Sequence, residues 1–325
     1  MSKLVTIFGG SGFVGRYIAR RLAKEGWRVR VAVRRPNEAM HVKPYGTPGQ
    51  VEPVLCNIRD EASVASVMTG SDAVVNCVGI LAEAGKNGFD SVQAEGAGRV
   101  ARIAADQGVE TFVHLSAIGA DATSKSAYAR TKGAGEAAVQ AAFPSAVILR
   151  PSIIFGPEDD FFNRFAGMFG PVLPLVGGNT VFQPVYVDDV ARAAVLGVEG
   201  KAPAGIYELG GPDAHSMKTL MKDMLTVIRR RKLVVNLPFF AGSLMGWSFD
   251  LVKKLSFGLV KGPITADQVK LLRQDNVVSE GAKGFTDLDI SPVAMEAVLP
   301  DYLWRFRPSG QYLAIKESAK NLRHG

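Results

Sequence analysis

Cysteine is scarce in this chain of 325 residues. Cys56 and Cys77 are the only two, each at the end of an apolar run and with no C-x-x-C spacing. That excludes a disulfide framework and reads as a pair of reduced, buried thiols in a cytosolic protein. Histidine is equally thin: His41, His114, His215 and His324 are scattered, with no pair at helical spacing, so no metal site is expected. No run of 18 or more apolar residues occurs, so no membrane-spanning helix is expected. Met1-Ser2-Lys3 leads directly into the apolar run Leu4 to Phe8, with neither an h-region nor an Arg-rich presequence, and no targeting segment is expected. Internal repeats and low-complexity tracts are lacking, and nothing forms a base-reading module, so nucleic acid is not an expected partner.

What is present is a globular composition. Hydrophobic residues make up 47% and charged residues 21% of a chain long enough to bury a large core. The charge is unevenly placed. Residues 1–228 hold 23 bases against 22 acids, whereas residues 229–325 hold 15 against 9. Within 229–262 stand Arg229, Arg230, Arg231, Lys232, Lys253, Lys254 and Lys261, with Asp250 the single acid. Basicity this local suits a surface that faces something acidic.

Short apolar, β-branched runs at 4–8, 28–33, 51–55, 72–78, 111–116 and 145–150 alternate with helical patterns at 13–26, 60–69, 88–108 and 125–142. This alternation predicts an α/β fold, a doubly wound parallel sheet with right-handed crossovers. After Arg150-Pro151 the pattern loosens. A strand and helix follow at 182–187 and 188–199, then a strand at 205–209 and a helix at about 216–231. From 233 onward, prolines 238, 263, 292, 300 and 308 break the alternation. The expected organisation is a nucleotide-binding domain over 1–232, including interleaved segments 151–187 and 205–232, and a small, mostly helical C-terminal region over 233–325.

Three motifs carry chemistry. Gly9-Gly10-Ser11-Gly12-Phe13-Val14-Gly15 follows the first strand and opens the first helix. Gly9 lets the chain turn, Gly12 lets the backbone approach a pyrophosphate, and Gly15 lets helix and strand pack closely, with helix-terminal N–H groups facing the anion. The second strand ends in Arg34-Arg35, without the acid that would accept the ribose hydroxyls of NAD. Guanidinium groups there suit a 2′-phosphate, so the expected cofactor is NADP(H). Ser116 ends the fifth strand, and Tyr128-x-x-x-Lys132 places a phenol and an ammonium one helical turn apart. An ammonium beside a tyrosine can lower the phenol's pKa and hold a ribose, and the serine can bond a carbonyl or hydroxyl.

With these motifs the chain resembles the short-chain dehydrogenase/reductase superfamily, in its extended and atypical branches, over about residues 3–230. Asn57-Ile58-Arg59-Asp60, Val78-Gly79 and the run from Arg150 through Pro151, Ile153 and Ile154 to Pro157 match further pieces of that superfamily. The resemblance implies a Rossmann domain whose cofactor is held by Gly9, Ser11, Gly12, Phe13, Val14, Gly15, Arg34, Arg35, Asn57, Ile58, Val78, Gly79, Ser116, Tyr128, Lys132, Pro151, Ile153 and Ile154. Phe8 departs from the pattern, since a threonine is common before the first glycine.

A narrower resemblance bears on role. The run Arg150 to Asp159, the continuation Phe161-Phe162-Asn163-Arg164-Phe165-Ala166 and the stretch Gln183 to Val190 are similar to the nucleotide-binding accessory subunits of respiratory complex I (NADH:ubiquinone oxidoreductase). That resemblance implies NADP(H) held tightly in a structural or regulatory role without turnover. It implies partners among the peripheral-arm and membrane-junction subunits, and a peripheral place on the cytoplasmic face of a bacterial inner membrane.

The C-terminal segment Leu237-Pro238-Phe239-Phe240 to Lys253-Lys254 is apolar and aromatic with bases at its flanks. It suits either an anionic lipid contact through 229–262, or a partner subunit, or an ordinary buried helix. A rival reading of the whole chain is an NADPH-dependent reductase or epimerase with Ser116, Tyr128 and Lys132 as catalytic residues. A soluble redox sensor is a third.

Overall fold

The computed structural model describes residues 2–83, 85, 87–255, 265–308 and 310–312. Lys261 and His324 lie outside the described residues, as do the side chains of Asp250, Lys253 and Lys254.

The chain opens with strand β1 (Leu4–Phe8), all five residues buried, then helix α1 (Phe13–Lys24) and strand β2 (Arg28–Val33). A 3-10 run, Pro36–Tyr45, leads to β3 (Val51–Leu55), α2 (Glu61–Met68) and β4 (Ala73–Asn76). A π-helical turn, Asp90–Ala94, runs into α3 (Glu95–Asp106), followed by β5 (Thr111–Leu115), α4 (Ala127–Ala142) and β6 (Val147–Pro151). The short elements β7 (Ile154–Phe155), α5 (Phe161–Ala166), β8 (Val172–Val176), β9 (Val181–Phe182) and β10 (Val185–Tyr186) precede α6 (Val187–Val198). The chain continues through β11 (Gly205–Leu209), β12 (His215–Ser216), α7 (Met217–Val227), β13 (Leu233–Leu237) and α8 (Phe239–Leu255), then α9 (Ala266–Leu271) and α10 (Met295–Leu303).

Seven strands form one parallel sheet in the order β11-β6-β5-β4-β1-β2-β3. Both faces are covered, which is why the strands read as continuous apolar runs. Val5 and Ile7 point into a core shared with α1 and α6; Phe8, Val74 and Phe112 point into another beneath α2, α3 and α4. Chain order reverses between β1 and β4. In open α/β sheets, ligands bind beyond the strand ends at such a switch point.

A third core gathers Phe155, Phe162, Leu173, Met217, Met221, Leu299 and Tyr302 from segments far apart in sequence. Patterning foresaw no strand beyond 209, yet β12 and β13 form there. β13 adds to β8 in parallel, Leu233 opposite Val172 and Leu237 opposite Val176. The expected single strand over 182–187 is two short pieces, β9 and β10, on either side of Gln183-Pro184, because proline cannot donate to a ladder.

Candidate functional site

The glycine loop and the end of β4 face one another at the switch point. Gly9 holds φ +76°, its N–H donates to Ala32 O at 3.0 Å, and a Cβ there would lie 3.3 Å from the Cys77 carbonyl. Gly15 shows why helix and strand come so close: a Cβ on it would stand 2.4 Å from Gly9 O and 2.7 Å from Gly10 Cα. Only a hydrogen fits.

This loop borders a cavity of about 730 Å³. Its lining includes nine residues expected from the sequence: Gly9, Ser11, Gly12, Arg34, Arg35, Asn57, Ile58, Val78 and Gly79. Phe13, Val14 and Gly15 stand behind the wall; Val14 and Gly15 are buried in α1, and Phe13 packs edge-on against Tyr17. The Asn57 turn is braced locally, with Asn57 N donating to Ser63 Oγ at 3.0 Å and Asp60 capping α2 through Ser63 N at 2.7 Å.

At the exit of β2 both arginines are exposed on the cavity wall. They are not equivalent. Arg35 pairs with Glu38 at 2.9 Å, and Glu38, carried on the 3-10 run, lines the same wall together with His41. Arg34 has no carboxylate within ion-pair distance among the described residues. The sequence reading missed Glu38, because the acid follows the strand end by a short 3-10 turn.

Lys132 lies deep beside the β4 end: a Cβ on Gly79 would be 3.3 Å from its Nζ. The ammonium donates to Leu115 O at 3.0 Å, and burial lowers its pKa to about 8 against the opposing pull of Glu136 and Cys77. Tyr128, half-buried, packs edge-on against Phe89 with ring centroids 6.0 Å apart. The expectation that Lys132 would lower the phenol's pKa is not met. Burial pushes Tyr128 up to about 12. Ser116 is buried, and its Oγ has no hydrogen-bond partner among the described residues. A buried hydroxyl left unpaired costs free energy unless something polar meets it, so Ser116 fits a site that receives a polar group.

Pro151, Ile153 and Ile154 are not among the residues lining the cavity. Pro151 O accepts from Ile118 N at 3.0 Å, Ile153 O accepts from Val185 N at 2.9 Å, and Ile154 packs on the first core. Arg150 is clamped by Glu136 at 2.9 and 2.5 Å, with Glu208 at 3.4 Å.

Several residues beside the site went unread. His114 Nδ1 meets Asn76 Nδ2 at 3.3 Å, and its Nε2 is unpartnered among the described residues, as is Gln93 Oε1 from the π-helical turn. Burial, with Lys132 nearby, lowers His114 to about 3, so the imidazole stays neutral. Cys77, read as a buried thiol, is half-buried where Cys56 is buried; both line the cavity, and desolvation pushes Cys77 up to about 12. Asp267 and Asn276 close on the site from the C-terminal region. Asn276 Oδ1 accepts from Ser152 Oγ at 2.7 Å, and its Nδ2 donates to Ile118 O at 3.2 Å. Only Asn76 and His114 left a trace in the sequence, as polar residues inside apolar strands.

Among the described residues no group of three or more His, Cys, Asp or Glu could hold a metal ion, and no helix is long and apolar enough to cross a membrane.

Residues 5–210 match the model of the NAD dependent epimerase/dehydratase family. The chain belongs to that family. A Thermus thermophilus UDP-glucose 4-epimerase, solved in complex with NAD, superposes with a TM-score of 0.67 at 19% identity, covering 94% of this chain and 99% of that one. It shares the fold. Among curated proteins, the Arabidopsis thaliana NADH dehydrogenase (ubiquinone) 1 alpha subcomplex subunit 9, mitochondrial, is 36% identical over 327 residues, covering 98% of this chain and 81% of its own length. A Caulobacter vibrioides protein named ceramide reductase is 32% identical over 271 residues, covering 79% of this chain and 82% of its own length.

Proposed function

We propose that the chain is an accessory subunit of a bacterial NADH:ubiquinone oxidoreductase that holds NADP(H) without turning it over. The observation that carries this reading is the similarity to the plant complex I subunit, which runs through 98% of the chain and so takes in the C-terminal region beyond the nucleotide fold. The pyrophosphate would lie on the Gly9–Gly12 backbone and the N-terminus of α1, where partial positive charge gathers. Arg34, at the cavity wall with no ion-pair partner among the described residues, would take the 2′-phosphate. Ser116 and Lys132 would hold the ribose end. A group held between a close-fitting glycine loop and a buried lysine suits a tightly bound structural role. The location that follows is peripheral, on the cytoplasmic face of the inner membrane, against peripheral-arm and membrane-junction subunits.

The test is to tag the chain in its native cell, solubilise membranes gently and run a native gel. Co-migration with NADH-dehydrogenase activity is expected, and a free soluble band overturns the proposal. Nucleotide released from the purified chain should be NADP(H); NAD(H) alone would overturn the cofactor assignment.

One observation favours a second reading, an NADPH-dependent reductase. The Ser116 hydroxyl, buried without a hydrogen-bond partner among the described residues, would be free to orient a substrate oxygen, and a relative bears the name ceramide reductase. A bound nicotinamide would supply hydride; Tyr128 would donate the proton to the substrate oxygen and Lys132 would anchor the ribose. Tyr128→Phe should then abolish an NADPH-consuming activity. No NADPH oxidation across a broad panel of carbonyl compounds would dismiss it.

A further inference from the structure

A second concavity, about 990 Å³, lies on the surface of the third core between α7 and the start of β13. Six cations line it: Lys218, Lys222, Arg229, Arg230, Arg231 and Lys232; its described lining contains no acid. Helix electrostatics explain some of these. Arg229 to Lys232 follow the last turn of α7, where partial negative charge favours cations. Lys218 and Lys222 do not fit that account. Lys218 stands in the first turn of α7, at its positive end, and Lys222 four residues on along the same face, so the dipole opposes Lys218 and like-charge repulsion opposes both.

The turn that ends α7 tells the same story. Arg230 N donates to Leu225 O and Arg229 N to Thr226 O, each at 3.1 Å, with Arg229 at φ 52°. Glycine ordinarily takes that left-handed position; here it brings a guanidinium into the wall. The Lys232 ammonium, bonded to Met168 O, has its pKa lowered by burial and by Arg230 beside it. Lys218, Lys222, Arg230 and Lys232 are thus held together along one wall, and an anion in the groove would relieve their mutual repulsion.

The rim is apolar. Phe169 is 95% exposed, Leu233 66% and Val172 42%. Val172 and Leu233 are continuous with the groove, since Leu233 is part of its wall, pairs with Val172, and donates its N–H to Pro171 O at 2.8 Å; Phe169 follows Met168, whose carbonyl accepts from Lys232 of the groove wall. Cations alone would serve a soluble phosphate. Exposed apolar side chains beside them call for a partner whose charged and apolar parts lie side by side.

We propose that this groove binds the phosphate of an anionic phospholipid headgroup, while Phe169, Val172 and Leu233 enter the edge of the acyl region. The inference rests on the peripheral membrane location proposed above and names the contact.

The test uses the purified full chain and protein-free vesicles of phosphatidylcholine, with or without phosphatidylglycerol, read by co-sedimentation. Because no respiratory subunit is present, its outcome is separate from that of the native gel. Sedimentation is expected only with phosphatidylglycerol. The triple variant Lys218→Glu, Lys222→Glu, Arg231→Glu should weaken it about 100-fold, at about fivefold per cation lost. The neutral variant with Gln at the same three positions should weaken it in the same direction, and both should melt at or above the wild-type midpoint, as relief of the cation crowding requires, with dinucleotide affinity unchanged. Phe169→Ser with Leu233→Ser should weaken it about tenfold while leaving its salt dependence unchanged. Equal sedimentation on both vesicles, or wild-type binding by the triple and neutral variants, overturns the proposal. So does complete release by millimolar inorganic phosphate with no effect of the rim variants, since that describes a soluble phosphate ligand.

Discussion

Asp267 caps the helix that carries Tyr128. The two residues are 139 apart in sequence, yet Asp267 Oδ2 accepts from Tyr128 N at 3.1 Å and from Ser126 Oγ at 2.8 Å, while Oδ1 accepts from Ala127 N at 2.9 Å. Ser126 is itself the N-cap of α4. A carboxylate at the positive end of a helix satisfies free N–H groups and interacts favourably with the dipole. Asp267 in turn stands on α9, whose own start is fixed by a capping box through Thr265 and Gln268.

Asp267→Ala should therefore cost about 2 kcal/mol of stability, the upper range for losing a charged cap. Urea unfolding reads it as a lower midpoint with unchanged slope. Dinucleotide affinity should fall as well, since α4 positions Lys132. An unchanged midpoint would refute the capping role.

Gly15→Ala places a Cβ against backbone atoms of Gly9 and Gly10 that have no side chain to move aside. The loop must shift, and titration calorimetry should show dinucleotide affinity reduced on the order of 100-fold, since close approach of the loop is what the glycine permits. Retained affinity would mean that the loop does not bind the pyrophosphate.

Arg34→Asp should exchange cofactor preference. A carboxylate beside a 2′-phosphate repels it and can accept ribose hydroxyls, so NADP(H) should weaken about 100-fold relative to NAD(H). Arg35→Asp should do less, because Arg35 is already paired with Glu38. Equal effects at the two positions would contradict the geometric distinction.

Lys132→Met should stabilise the ligand-free protein at pH 7 by on the order of 2 kcal/mol, by removing a buried ammonium. The sign follows from the lowered pKa. Between about 8 in the folded chain and 10.5 unfolded, the unfolded state binds more protons, so the wild type gains stability as pH rises through that window. The gap between variant and wild type should close above it. Melting curves at pH 7, 9 and 10.5 check this; a gap independent of pH would show that the ammonium is not penalised by burial.

Much of the architecture was legible because it is written locally. Apolar runs such as Leu4 to Phe8 and Val29 to Val33 could be read as strands, since a sheet covered on both faces needs them to be apolar throughout. The glycine spacing could be read because Gly9 and Gly15 act within one turn of chain. Beyond residue 233 the local signal was too weak. β13 exists because β8 offers it an edge, and that pairing spans about sixty residues.

The sequence by itself determined the order of strands and helices through about residue 150, the glycine cradle and the presence of Ser116, Tyr128 and Lys132. Periodicity and steric demand act over a few residues, and both can be seen in a string of letters. Only the tertiary structure decided how those groups behave. It buried Lys132 and lowered its pKa, raised that of Tyr128 in place of the expected fall, paired Arg35 with Glu38, and brought Asp267 and His114 to the site. A side chain's proton affinity and freedom are set by whatever surrounds it, and here much of the surroundings comes from distant parts of the chain.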